Sequence, residues 1–192
     1  MTFVIGGARS GKSAFAEGLA RKYNDVVYIA TAEVKDDEMR DRIQIHRARR
    51  PFNWKTIEAP FHVDRVISNL NEKSGVVYID CITLYITNML LDDNAANPAG
   101  GADRQREVLK QKQSQILDEI NKLCKVCRES KSDVIIVSNE VGLGIVPDNA
   151  LSRVFRDIAG SANQIIADEA DEVYFMVAGI AQRIKYYGCF PV

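Results

Sequence analysis

The sequence is short of several things, and each shortage removes a class of function. It has no apolar run approaching a membrane span, and Met1-Thr2-Phe3-Val4-Ile5 reaches Gly6 without a basic leader. Neither a transmembrane helix nor a secretory signal is therefore expected, and the expected location is the cytoplasm. It has no excess of charge: 25 Lys and Arg against 26 Asp and Glu leave a formal net charge of −1. No global field gathers nucleic acid or an anionic membrane, so neither is an expected partner and any anion site must be local. Repeats and low-complexity tracts are missing too. Histidine is scarce, with only two residues, His46 and His62. Of four cysteines, Cys124 and Cys127 form a CxxC pair inside a helical pattern, with no second pair or histidine couple to complete a four-ligand zinc site. Reduced structural thiols are the expectation there.

What is present fits one α/β domain over residues 1–192, at 46% hydrophobic and 27% charged. Apolar, β-branched runs at Thr2–Ile5, Val26–Ala30, Val76–Cys81, Val134–Ser138 and Glu172–Val177 read as strands buried on both faces. Helical patterns at Gly11–Tyr23, Asp36–Arg49, Arg104–Arg128 and Leu151–Ala170 alternate with them. The alternation predicts a mostly parallel sheet with helices on both faces. Pro51 followed by Trp54–Glu58 suggests a short edge strand, and the Asn, Pro and Gly of Leu91–Ala102 a loop.

Gly6-Gly7-Ala8-Arg9-Ser10-Gly11-Lys12-Ser13 matches GxxxxGKS, with a strand leading in and a helix leading out. This is the signature of a P-loop NTPase-like fold. Glycines let backbone amides approach phosphate oxygens at a helix N-terminus, Lys12 can reach the β- and γ-phosphates, and Ser13 can ligate Mg²⁺. A second acidic metal contact should stand at the end of a neighbouring strand, where Asp80 follows Val76–Ile79. The other reading of Asp80 is a cap for a helix beginning near Ile82. Ligands collect at the carboxyl ends of parallel strands, so Thr31, Ala32 and Glu33, and Asn139 and Glu140, are rim candidates. A GTPase switch is disfavoured: Asp80-Cys81-Ile82-Thr83 lacks the DxxG glycine, and no NKxD is present.

His46 lies in Arg42-Ile43-Gln44-Ile45-His46-Arg47-Ala48-Arg49-Arg50. Helical spacing brings Arg42, His46, Arg49 and Arg50 to one face. Guanidinium groups beside an imidazole disfavour its cation and can hold phosphate oxygens, a pairing suited to attack on phosphorus. A solvated basic helix on which a histidine happens to sit is the plainer reading, and it goes with an alternative function, a P-loop kinase of another small molecule without guanylyl transfer. His62 has no such neighbours and reads as structural.

Taken together, GGARSGKS (6–13), YIATAE (28–33), DDEMRDRIQIH (36–46), WKTIE (54–58), IDCITLYITN (79–88), SNEVGLGIVP (138–147), FRDIAGSANQ (155–164) and ADEVYFMVAGI (170–180) resemble the adenosylcobinamide kinase/adenosylcobinamide-phosphate guanylyltransferase family of cobalamin assembly. The resemblance implies an enzyme that phosphorylates adenosylcobinamide with ATP or GTP. It then transfers GMP from GTP to that phosphate through a guanylylated histidine, for which His46 stands at the family's position. It further implies nucleotide contacts from Gly6 to Ser13, Thr31 to Glu33, Arg47, Ala48, Arg49, Arg50, Glu58 and Asp80, and a homotrimeric assembly; Mg²⁺ is the cofactor expected from the phosphate loop with Ser13 and Asp80.

Overall fold

The structure, a computed structural model, describes residues 1–33, 37, 40, 47, 50–70, 75–92 and 102–185. Seven strands form one sheet: β1 (Thr2–Gly6), β2 (Val26–Ala30), β3 (Lys55–Glu58), β4 (Val76–Asp80), β5 (Asp133–Asn139), β6 (Glu172–Val177) and β7 (Ile180–Lys185). Their order is β3-β2-β4-β5-β1-β6-β7. Every pairing is parallel except β6 with β7, where Val177 opposes Ile180 across Ala178 and Gly179. Both turn residues have positive φ, 50° and 81°. A two-residue hairpin demands this because its twist must match that of the strands.

Five helices are described: α1 (Lys12–Ala20), α2 (Val63–Ser68), α3 (Ile82–Leu90), α4 (Ala102–Glu129) and α5 (Ala150–Glu169). Side chains alternate across each strand, so the two sheet faces collect different residues. Phe3, Val27, Ile29, Val77, Ile79 and Ile136 join Ile67 of α2, Ile86 of α3, Ile120 of α4 and Ile158 of α5 in the larger core cluster. Val4, Tyr28, Tyr78 and Val137 form the other with Ala16 and Ala20 of α1 and with Trp54. Cys124 and Cys127 lie within the larger cluster as free, buried thiols. Burial raises both, Cys124 to about 12, so they act as small apolar groups in α4.

The expected strands β1 to β6 are all present within a residue or so, with β3 at the sheet edge as anticipated. Two elements are additional. α2 has only six residues, too few to show a helical period. In β7 the exposed Ile180 and Ile184 would share one face by alternation, but the polar Gln182 stands between them on it, so the run IAQRIK does not read as apolar–polar alternation. The expected helix Asp36–Arg49 and most of the expected loop Leu91–Ala102 fall outside the described residues, although Asp37, Arg40 and Arg47 are helical.

Candidate functional site

The strand ends put the motif residues on one rim. β1 stops at Gly6, and a Cβ there would come within 2.7 Å of both the Met176 carbonyl oxygen and Ser10 Oγ. Glycine is therefore required by space. Gly11 is required by conformation, since its φ of 93° turns the chain into α1 and a Cβ would also lie 3.1 Å from Gly179 Cα. The hairpin turn braces the loop: the Gly179 amide donates to the Ser10 carbonyl at 2.9 Å. α1, like α2 and α3, carries no side-chain cap, whereas at α5 Asn149 accepts from the Ser152 amide at 2.7 Å. The first-turn amides of α1 are thus left for an anion. Lys12 Nζ lies back on the Gly7 carbonyl at 3.3 Å. Burial lowers its pKa, opposed by negative charge at Cys81 and Asp80. Burial also pushes the Cys81 thiol up to about 11.

Asp80 ends β4, but β4 does not adjoin β1. The strand order inserts β5 between them, so the expectation of a neighbouring strand is corrected to one strand further away. The capping reading of Asp80 also fails. Cys81 is the N-cap of α3 and makes no side-chain cap bond. Asp80 Oδ2 instead accepts the Tyr28 hydroxyl at 3.0 Å and the Tyr78 hydroxyl at 3.3 Å. These tyrosines sit opposite each other because β2 and β4 pair with Tyr28 against Tyr78 and Ala30 against Asp80. Their rings meet edge to face at 5.0 Å, and Trp54 stacks on Tyr28 at 6.5 Å. Burial and the Asp80 charge push both phenols upward, so both remain hydrogen-bond donors.

The remaining rim residues divide into those that fasten and those that face outward. Thr31 is fully buried; its hydroxyl donates to the Cys81 carbonyl at 2.7 Å and accepts from the Cys81 amide at 2.8 Å. It clamps β2 to the start of α3. Asn88 donates to the Thr31 carbonyl at 2.8 Å, and Asn139 to Thr83 Oγ1 at 2.6 Å. The Glu140 amide donates to the Gly6 carbonyl at 3.0 Å, and its carboxylate accepts from the Gly142 amide. Glu33 and Glu58 are exposed, as is Arg47, while Ala32 is half-buried. The Arg50 guanidinium lies 3.9 Å above the Tyr28 ring and donates to Thr56 Oγ1 at 3.3 Å. His46, Ala48 and Arg49 lie outside the described residues. His62 has a φ of 53° at the head of α2, where its carbonyl accepts the Arg65 amide at 3.1 Å. Sequence reasoning passed over Tyr28, Tyr78 and Trp54, although the paired runs VVYIA (26–30) and VVYID (76–80) hint at them.

Residues 2–184 match the family model described as cobinamide kinase / cobinamide phosphate guanyltransferase. The chain belongs to this family. It is 42% identical over 185 residues to the bifunctional adenosylcobalamin biosynthesis protein CobU of Escherichia coli K12, covering 96% of this chain and 99% of that protein. Against the CobU of Salmonella typhimurium LT2 the identity is 43%, with the same coverage. Against the bifunctional CobP of Pseudomonas aeruginosa PAO1 it is 40% over 183 residues, 95% of each chain. Among solved structures, a type III secretion system ATPase superposes with a TM-score of 0.56 at 10% identity over 91% of this chain and 50% of its own length. That likeness concerns the fold alone, and it agrees with the P-loop NTPase-like architecture.

The residues present fit Mg²⁺ as a nucleotide-borne cation. No group of three or more potential ligands among His, Cys, Asp and Glu occurs among the described residues. Mg²⁺ on a triphosphate needs none, because phosphate oxygens and water fill most of its octahedron. One hydroxyl, Ser13, and one carboxylate, Asp80, are the expected protein share. Both tyrosine hydroxyls fall on Oδ2 of Asp80.

Proposed function

We propose that the cradle at Gly6 to Ser13 holds the triphosphate for both reactions of this chain, and that His46 carries GMP between GTP and the substrate phosphate. The chain is a kinase and guanylyltransferase of cobalamin assembly, as its family and its near full-length relatives are. The observation that carries the site assignment is the loop itself: two glycines that nothing larger can replace, an uncapped helix start, and Lys12 lying across the gap. In the kinase step a hydroxyl oxygen of adenosylcobinamide forms a bond to the γ-phosphorus of ATP or GTP. The bond to the bridging oxygen breaks, the nucleoside diphosphate leaves, and the hydroxyl proton passes to water. Lys12 and the α1 amides stabilise the charge gathering on the β–γ bridge.

In the second reaction a ring nitrogen of His46 attacks the α-phosphorus of GTP and pyrophosphate departs. An oxygen of adenosylcobinamide phosphate then takes GMP as the phosphorus–nitrogen bond breaks, dividing one hard step into two. Arg47, Arg49 and Arg50 follow His46 closely enough to neutralise the crowded phosphorus. Mg²⁺, when bound with the nucleotide at Ser13 and Asp80, would supply additional charge neutralisation. Thr31 would keep the rim rigid, and Ala32, Glu33 and Glu58 would border the nucleotide. The use of ATP and GTP supports a cytoplasmic setting. No described helix is long and apolar enough to cross a membrane. A homotrimer, implied by the resemblance, would cover some of the exposed Phe52, Leu143, Ile145 and Ile180; light scattering on the eluted protein tests it.

Intact-mass measurement after incubation with GTP and Mg²⁺, followed by peptide mapping, tests the GMP carrier. We expect one GMP adduct on His46, acid-labile and relatively base-stable, and no adduct in His46→Ala. A label on His62 or on a lysine, or undiminished guanylyl transfer by His46→Ala, removes His46 from the mechanism.

A further inference from the structure

Tyr28 does two things at once. The residue is 4% exposed, and its hydroxyl donates to Asp80 Oδ2 at 3.0 Å. A face of the same ring seats a cation, with the Arg50 guanidinium carbon 3.9 Å from the ring centroid. Tyr78 touches the same carboxylate oxygen, but Arg50 lies over Tyr28. The ring cannot swing to satisfy one partner at the expense of the other: Tyr78 packs edge-on at 5.0 Å and Trp54 stacks with a 27° tilt. A buried phenol needs a hydrogen-bond partner, and a guanidinium over an aromatic face is held electrostatically. Both contacts therefore depend on one rigid side chain with two rotatable torsions.

The two partners belong to different parts of the chemistry. Asp80 ends β4 and is the carboxylate assigned above to the nucleotide-bound cation, while Arg50 is four residues beyond His46 in sequence. We propose that Tyr28 is a positioning residue that joins the two halves of the site, its hydroxyl fixing the Asp80 carboxylate and its ring seating Arg50. Such outer partners orient the groups that meet a metal and tune what those groups do. The inference rests on the reading that Asp80 serves the nucleotide-bound cation. It separates the hydroxyl, on which both reactions draw, from the ring face, on which guanylyl transfer draws more heavily.

The test titrates MgCl₂ against a fluorescent N-methylanthraniloyl GTP bound to the intact protein, for the wild type, Tyr28→Phe, Asp80→Asn and the double variant. Tyr28→Phe keeps the ring and should fold; its thermal midpoint is recorded alongside. Because the Tyr78 hydroxyl still donates to the same Asp80 oxygen, losing the Tyr28 hydroxyl should act on Mg²⁺ only indirectly, raising its midpoint roughly 3- to 10-fold, less than the loss of a hydrogen bond to the nucleotide itself. Asp80→Asn should raise it further, and the double variant should be no worse than Asp80→Asn alone. A raised midpoint in Asp80→Asn with none in Tyr28→Phe overturns the inference and leaves the Asp80 reading standing. No rise in either variant overturns both. Tyr28→Leu, which also removes the seat for Arg50, should slow GMP labelling more than γ-phosphoryl transfer. An equal fall in the two rates overturns the ring's part.

Discussion

On the face of the sheet covered by α2 to α5, the strands present Phe3, Val27, Ile29, Val77, Ile79 and Ile136, none more than 2% exposed. On the face covered by α1 the same strands present Tyr28, Tyr78 and Asp80, which bond to one another. β2 and β4 read VVYIA and VVYID, and each supplies aliphatics to one face and a tyrosine to the other. The first face gains stability from area removed from water. The second holds polar atoms that burial would penalise unless each is paired, so its packing doubles as the alignment of a carboxylate. Substitutions on the two faces should therefore fail in different ways.

The largest effect expected on the aliphatic face comes from Phe3→Ala, which leaves a cavity costing about 3–5 kcal/mol of stability. Denaturant unfolding should show that loss while the activity of the molecules still folded stays near that of the wild type. A matching loss of intrinsic activity would break the division between faces. Asp80→Asn is the counterpart on the α1 face. It keeps the shape and accepts the tyrosine hydroxyls through its amide oxygen, so the thermal midpoint should move little. Removing the charge should cut activity at low Mg²⁺ by roughly 10-fold or more, taking the loss as 1.5–3 kcal/mol. Partial recovery at high Mg²⁺ would sharpen the assignment, and early melting with full activity in the folded fraction would reverse it.

A smaller effect concerns pH. Burial lowers the Lys12 pKa, so the ammonium of the free protein loses its proton at a lower pH than an ordinary lysine. Affinity for the triphosphate should accordingly fall as pH rises through that value. Lys12→Arg, which stays charged, should shift this alkaline limb upward while binding the nucleotide less well at neutral pH. An alkaline limb unchanged in Lys12→Arg would assign the titration to another group.

The cradle was the most legible part of the chain, because Gly6, Gly11, Lys12 and Ser13 are fixed by spacing within eight residues. Strand positions were legible for the same local reason: a run such as VVYID is apolar along its length. Strand order was not. Nothing local says that β5 separates β4 from β1, and so the neighbour assumed for Asp80 was off by one strand. The meeting of Tyr28, Tyr78 and Asp80 depends on a register between runs 50 residues apart, which pairing determines and composition does not. Thr31 illustrates the limit from the other side. Its place at the end of β2 marked it for the rim, while its hydroxyl turns inward to fasten Cys81.

One cradle serving two reactions is most directly tested by Lys12→Ala, assayed for γ-phosphoryl transfer and for GMP labelling at matched folded concentration. Both rates should fall together, by about 10- to 150-fold for the loss of one charged hydrogen bond, with little change in thermal midpoint. Loss of one activity with the other intact would show that the two reactions use separate phosphate sites.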